Sequence, residues 1–177
     1  MAEKTMHQPS TVRLPDASLL ITLAYADALD LLFKPDWTVE VVDMVLFEVT
    51  RHHTPTSDKL ASWLESHQLT IRPTDIHQRY LQALSSSTPP SKAGLGELAI
   101  QEAMNSFALQ ATPSIGVFLF ENHKIARASF ILPANCRKVS TRAYLLFLEQ
   151  KGWITSAIDI ERKAILAGRA FSTLRFA

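Results

Sequence analysis

Apolar positions alternate between two periods along this chain. From Ala17 to Phe33 they return every three to four residues (Leu19, Leu20, Leu23, Ala24, Ala28, Leu31, Leu32), the spacing of a helix with one buried face, and Asp16 stands at its N-cap. Val12–Pro15 before it is short and extended. Pro35-Asp36 ends the helix, and the β-branched run Thr38–Val42 predicts a buried strand. Asp43 then caps a second helix carrying Val45, Leu46, Glu48 and Val49. Thr54–Asp58 reads as a turn, and Ser57 as the cap of a helix running to about His67. A strand follows at Leu69–Arg72 and a helix at Asp75–Leu84. Further on, helices are expected at Leu95–Phe107, Asn122–Ile131, Thr141–Lys151 and from Ser156 to about Arg169, with strands at Ser114–Phe120 and Arg137–Val139.

Roughly five strands alternating with about eight helices predict a parallel sheet covered on both faces. The expected fold class is α/β, a three-layer α/β/α sandwich with a central, mostly parallel sheet of 4–5 strands. Residues 1–11 form a loose N-terminal tail and 12–177 one domain, with a low-complexity loop at 85–93 (SSSTPPSKA) and a C-terminal helix and tail at 156–177.

Bulk composition adds exclusions. The 177 residues are 47% hydrophobic and 20% charged, with a formal net charge of +1, so nucleic-acid contact would have to come from a local patch. One cysteine, Cys136, forbids an intramolecular disulfide and suits a reducing compartment. The first ten residues lack an apolar signal region, and no apolar run approaches the roughly 20 residues that span a bilayer. A cytoplasmic protein with no membrane partner is expected.

In a parallel sheet, ligands bind beyond the carboxyl ends of the strands. Asp16 follows the first strand, Asp43 the second, and Glu48 lies on the helix after it. Glu97 opens a helix entered through Gly94-Leu95-Gly96. Glu121-Asn122 ends the most apolar strand. Acids converging at one sheet edge repel unless a cation sits among them, and hard ions such as Mg²⁺ or Mn²⁺ suit oxygen donors. Such ions activate water for in-line attack on phosphate. Plain alternatives exist for single residues: Asp16 and Asp43 as helix caps, Glu97 as a complement to a helix dipole.

The same residues resemble a known family. Leu14-Pro15-Asp16-Ala17-Ser18-Leu19 is similar to the opening of PIN domains, where an aspartate ends the first strand. Val41-Val42-Asp43-Met44-Val45-Leu46-Phe47-Glu48 resembles the second motif, and Gly94-Leu95-Gly96-Glu97-Leu98 the third. Glu121-Asn122 with Ala126-Arg127 resembles a segment that usually begins Asp-Asp, and Ser140-Thr141-Arg142 to Gly152-Trp153-Ile154 the closing helix. The ordered set, over about residues 12 to 155, carries the resemblance.

It implies a metal-dependent endoribonuclease (a phosphodiester hydrolase) with Asp16, Glu48, Glu97, Glu121 and Asn122 as catalytic positions. Asp16, Glu48, Glu97 and Asn122 would hold Mg²⁺ or Mn²⁺, Asn122 more weakly through its carbonyl. The family includes toxins of toxin–antitoxin pairs, which implies an RNA substrate, a cognate antitoxin protein and a possible homodimer. The competing expectation is a catalytically weakened PIN fold that binds RNA or protein.

Candidate nucleic-acid contacts are His123, Lys124, Arg137, Lys138 and Arg142. Arg51-His52-His53 at the end of the second helix could touch phosphate or simply complement that helix's dipole. The helices between Ser57 and Leu84 carry Trp63, Leu64, Tyr80, Leu81 and Leu84, core residues or, where exposed, a docking stripe.

Overall fold

The computed structural model describes residues 10–86, 90–110, 114–121 and 131–170. Residues 1–9 of the tail, 87–89 of the loop, the expected helix Asn122–Ile131 up to residue 130, and residues 171–177 lie outside the described residues. So do the candidates Asn122, His123, Lys124 and Arg127.

Five strands form one sheet: β1 (Thr11–Pro15), β2 (Thr38–Val42), β3 (Thr70–Arg72), β4 (Ile115–Phe120) and β5 (Cys136–Ser140). Their order is β3-β2-β1-β4-β5 and every pairing is parallel. Seven α-helices are described: α1 (Ala17–Tyr25), α2 (Asp43–Thr50), α3 (Pro55–Ser66), α4 (Asp75–Ala83), α5 (Leu95–Ala108), α6 (Thr141–Gln150) and α7 (Ala157–Leu166), with a 3-10 turn at Leu29–Phe33. The expected α/β fold with a parallel sheet is therefore what the chain forms.

Consecutive residues of the inner strands are buried: Val12 to Pro15, Val39 to Val42 and Gly116 to Phe120. Alternating exposure would mark a one-sided sheet, so continuous burial means helices cover both faces. Among the described residues no helix is long and apolar enough to cross a membrane. Trp63, Leu64 and Tyr80 belong to the core, while Leu81 and Leu84 are exposed.

Several helix boundaries depart from the periodicity. The first helix does not continue to Phe33. It stops at Tyr25, where Asp27 takes φ 50° and the Ala28 N–H reaches back to Leu23 O at 2.8 Å, closing a Schellman-type cap. Lys59 pairs with the Asp27 carboxylate and anchors that bend. Ser57 is not the cap of α3. Thr54 is, with Pro55 in the first turn, and Thr54 and Ser57 bond each other's backbone N–H reciprocally. Thr54→Ala should cost about 1 kcal/mol in urea unfolding, and an unchanged midpoint would show that the tertiary contacts of α3 hold it without the cap.

Asp43 is likewise the first residue of α2, its cap position being Val42. Its carboxylate accepts from Met44 N–H at 2.7 Å and from Thr74 N–H and Oγ1 at 2.8 and 2.7 Å, with His77 Nδ1 at 3.2 Å. Asp43 thus ties the start of α4 to α2. The last helix ends at Leu166, three residues short of Arg169.

The candidate acidic cleft

The chain leaves β1 toward β2 and β3 on one side and later returns to its other side as β4 and β5. The reversal opens a crevice beyond the carboxyl ends of β1 and β4. Asp16 and Glu121 are the first residues after those two strands.

Asp16 is held by backbone on both sides. Its N–H donates to Leu119 O at 2.8 Å, which extends the β1–β4 ladder past Pro15. Its Oδ1 accepts from Leu19 N–H at 2.7 Å as the cap of α1, and its Oδ2 accepts from Glu121 N–H at 3.3 Å. The residue is 5% exposed. Burial pushes the carboxyl up to about 7; the two N–H donors pull the other way, and the charges of Glu121 and Glu97 add to the rise.

Glu48 reaches the crevice from α2 and Glu97 from the first turn of α5. With Asp16 they line one small cleft of about 80 Å³, together with Ala17, Ser18, Val45 and Gly96. Gly96 makes that meeting possible, because a Cβ there would fall 2.6 Å from Glu48 Oε2. Its N–H also donates to the Glu48 carboxylate. Burial raises the Glu48 pKa first and the neighbouring Glu97 charge second, with the Gly96 N–H and Arg51 opposing. Side chains 32, 49 and 81 positions apart in sequence thus face one another across a space in which negative charge is disfavoured.

Glu121 sits beside the cleft with both oxygens engaged. Thr22 Oγ1 donates to them at 3.0 and 2.8 Å, and Arg169 Nη2 lies 3.1 Å from Oε2. Arg169 also donates through Nε to Thr22 Oγ1 at 3.0 Å. Burial raises the Glu121 pKa, against the Thr22 hydroxyl and Arg169. Neither Thr22 nor Arg169 stood out in the sequence. The one local signal was Gly168, a helix-ending residue that releases Arg169 from α7 and lets it turn back toward α1.

Of the basic candidates, Arg137, Lys138 and Arg142 lie among the described residues. Arg137 lies near the amino end of β5, opposite Val117, and its Nη1 donates to Ala134 O and Cys136 O at 2.7 and 2.8 Å. Lys138 is opposite Phe118 in mid-strand. Arg142, on the first turn of α6, pairs with Glu161 at 3.1 Å. Cys136 is buried against Met104 O.

The donors suit a hard divalent cation in kind, being three carboxylates that line one cleft, in which burial penalises the charged forms of Asp16 and Glu48. In their present arrangement, no three His, Cys, Asp or Glu side chains among the described residues form a group able to hold a metal. The geometry is thus a gathered set of oxygen donors rather than a closed ligand shell.

No family model matches the sequence, and no curated protein matches it. Among solved structures the fold is similar to the T. brucei RRP44 PIN domain, at 12% sequence identity over 81% of this chain and 84% of that one, with a TM-score of 0.48.

Proposed function

We propose that the chain is a metal-dependent endoribonuclease of PIN type, the toxin half of a toxin–antitoxin pair neutralised by a cognate protein. One observation carries the nuclease reading. Asp16, Glu48 and Glu97, delivered by three separate elements, line a single cleft at the point where the sheet order reverses. The toxin role rests on the sequence resemblance alone.

On this reading Asp16, Glu48 and Glu97 hold Mg²⁺ or Mn²⁺, with Asn122 contributing its side-chain carbonyl. The bound ion would supply a Lewis acid that activates water and offsets charge on the phosphate. The residues of the chain do the rest. The Leu19 and Glu121 N–H groups orient the Asp16 carboxylate, and the Gly96 N–H orients Glu48. The Thr22–Arg169 pair keeps Glu121 turned to itself, which leaves Asp16 as the acid that closes this side of the cleft.

The test is Mn²⁺-dependent cleavage of total cellular RNA by the purified chain. The expected result is cleavage that EDTA stops and that Glu48→Gln reduces by roughly a hundredfold or more, since a neutral ligand loses most of its hold on the cation. Cleavage equal in both proteins would remove Glu48 from the chemistry.

A second reading, a PIN fold that binds RNA without cutting it, is favoured by the engaged Glu121 carboxylate and by the lack of a closed ligand group among the described residues. RNA binding with no cleavage at any Mn²⁺ concentration would decide for it.

A further inference from the structure

A second depression, of about 300 Å³, shares Glu48 with the acidic cleft. Its lining includes Ile21 and Tyr25 of α1, Arg51 and His52 just past the end of α2, and Arg169. We propose that this groove is a nucleotide subsite: it seats one unstacked nucleotide of a single-stranded nucleic acid beside the acidic cleft, its base against Ile21 and Tyr25 and its phosphate at Arg51 and His52. The proposal deepens the nuclease reading and rests on it for the phosphate that would reach Glu48.

The wall provided by the C-terminal segment follows from local geometry. After α7 the Gly168 N–H donates to Ile165 O and the Arg169 N–H to Ala164 O, both at 3.0 Å, with Gly168 at φ +107°. This Schellman-type ending reverses the chain, and a left-handed residue there is one that only glycine adopts without strain. The reversal carries Gly168 against the Tyr25 ring, so that a Cβ on it would stand 3.8 Å from Cε1, and delivers the Arg169 guanidinium to Thr22 and Glu121. Arg169 is therefore a wall, its charge already answered by Glu121.

Arg51 and His52 differ from it. Both are exposed, and among the described residues their side chains make no hydrogen bond or ion pair, Arg51 contributing only a through-space attraction to Glu48. An arginine at the end of a helix complements its dipole anyway. Here Arg51 and His52 also line a concavity that the aliphatic Ile21 and the aromatic Tyr25 line with them. Its volume falls at the lower end of the range for small-ligand sites, roughly 300–1,000 Å³. An apolar and aromatic surface for a base, next to an unpaired arginine and an imidazole that can hydrogen-bond a phosphate, is how single strands are held. A duplex offers no free base face to such a groove.

The experiment is fluorescence anisotropy of the full chain with a labelled single-stranded octaribonucleotide in EDTA, alongside the same DNA strand and the RNA duplex. Arg51→Gln and His52→Ala, both at exposed positions, are compared with wild type after their melting curves confirm folding. The expected result is single-strand binding weakened about tenfold by Arg51→Gln, with a salt dependence of log K reduced by about 0.7, one phosphate contact. The DNA and RNA arms tell which sugar the groove accepts, and binding of either strand that depends on Arg51 supports the subsite.

Single-strand affinity that neither variant changes would overturn the proposal, as would a duplex that binds as tightly as the single strand. The nuclease reading fails separately. Arg51-dependent binding by a wild-type protein that never cleaves RNA supports the groove and rejects the nuclease, whereas cleavage with Arg51-independent binding does the reverse.

Discussion

Asp16→Asn should abolish Mn²⁺-dependent RNA cleavage and, at the same time, make the metal-free protein more stable at pH 8. The first effect follows if Asp16 is a ligand, because the neutral amide gives up much of the attraction that holds the cation. The second follows from burial. In the folded chain the carboxyl is pushed from its ordinary value of 3.8 to about 7, burial being the main cause. Below the ordinary value both folded and unfolded chains are protonated, and the stability associated with this group is fully present. As pH rises through the folded value that stability is lost, since the native cleft must then accept a charge the unfolded chain carries freely. At about 1.36 kcal/mol per pH unit the loss between pH 4 and pH 8 is on the order of 4 kcal/mol.

Asparagine has no charge to accommodate and can still take the Leu19 N–H as cap acceptor, giving up only the longer 3.3 Å contact from Glu121 N–H. Urea unfolding from pH 5 to 8 should therefore show wild type weakening across the range and the variant weakening less, through the raised Glu48 and Glu121 carboxyls that remain. Mn²⁺ at millimolar concentration should raise the wild-type melting temperature at pH 8 and leave the variant unmoved. Parallel pH profiles for the two proteins would mean that Asp16 is hydrated and ionised, and the electrostatic account of the cleft would fail with it.

The second large effect lies in the core. Arg13→Ala should destabilise the chain by roughly 3–5 kcal/mol, the cost of emptying a large buried side chain, enough to leave a marginal protein substantially unfolded at 37 °C. Arg13 occupies the central strand and is 0% exposed, with no carboxylate bound to it among the described residues. Its guanidinium donates to Tyr144 Oη at 2.9 Å and to the carbonyls of Pro35 and Trp37 at 2.8 and 2.7 Å, and it lies over the Trp37 ring. Tyr144 in turn donates to Leu31 O at 2.7 Å. One side chain thus ties β1, the segment before β2 and helix α6 together. Burial lowers its pKa, opposed by Tyr144.

Truncation would open a cavity and remove the Arg13 donor from Trp37 O, while Pro35 O keeps the Trp37 N–H at 2.7 Å. Arg13→Met separates the two costs, filling much of the volume while supplying no donor. It should recover part of the loss, and Tyr144→Phe alone should cost about 1–2 kcal/mol. If Arg13→Met unfolds at the wild-type urea midpoint, the hydrogen bonds contribute nothing net and the guanidinium is tolerated rather than required.

Arg13 also marks the boundary between what local pattern can express and what it cannot. The sequence alone determined the alternation of strands and helices, the parallel sheet, and the position of acids at strand ends. Those features depend on periodicity and capping, which act over a few residues. The run Val12-Arg13-Leu14-Pro15 reads as a strand whatever its arginine touches, and the partner Tyr144 lies 131 positions away. Helix ends were misjudged where the deciding interaction is tertiary: Asp27 adopts a left-handed bend against Lys59, and nothing in the helical spacing announces it.

The acids show the same division. That Asp16, Asp43 and Glu121 follow strands, and that Glu48 and Glu97 lie on helices, could be seen in the chain. Spacing alone does not say which of them share a cleft, since Asp16 and Asp43 read equally well as helix caps and Glu97 as a dipole complement; the grouping of Asp16, Glu48 and Glu97 came from the family resemblance. Only the packing of α2 against α5, permitted by the missing side chain of Gly96, puts Glu48 beside Glu97. Only the Schellman turn at Gly168 brings Arg169 back to occupy Glu121, and only Thr74 and His77 draw Asp43 away to α4. Local preferences decide a residue's backbone, and long-range contacts decide its neighbours, since charge and burial depend on distances in space that sequence separation does not report.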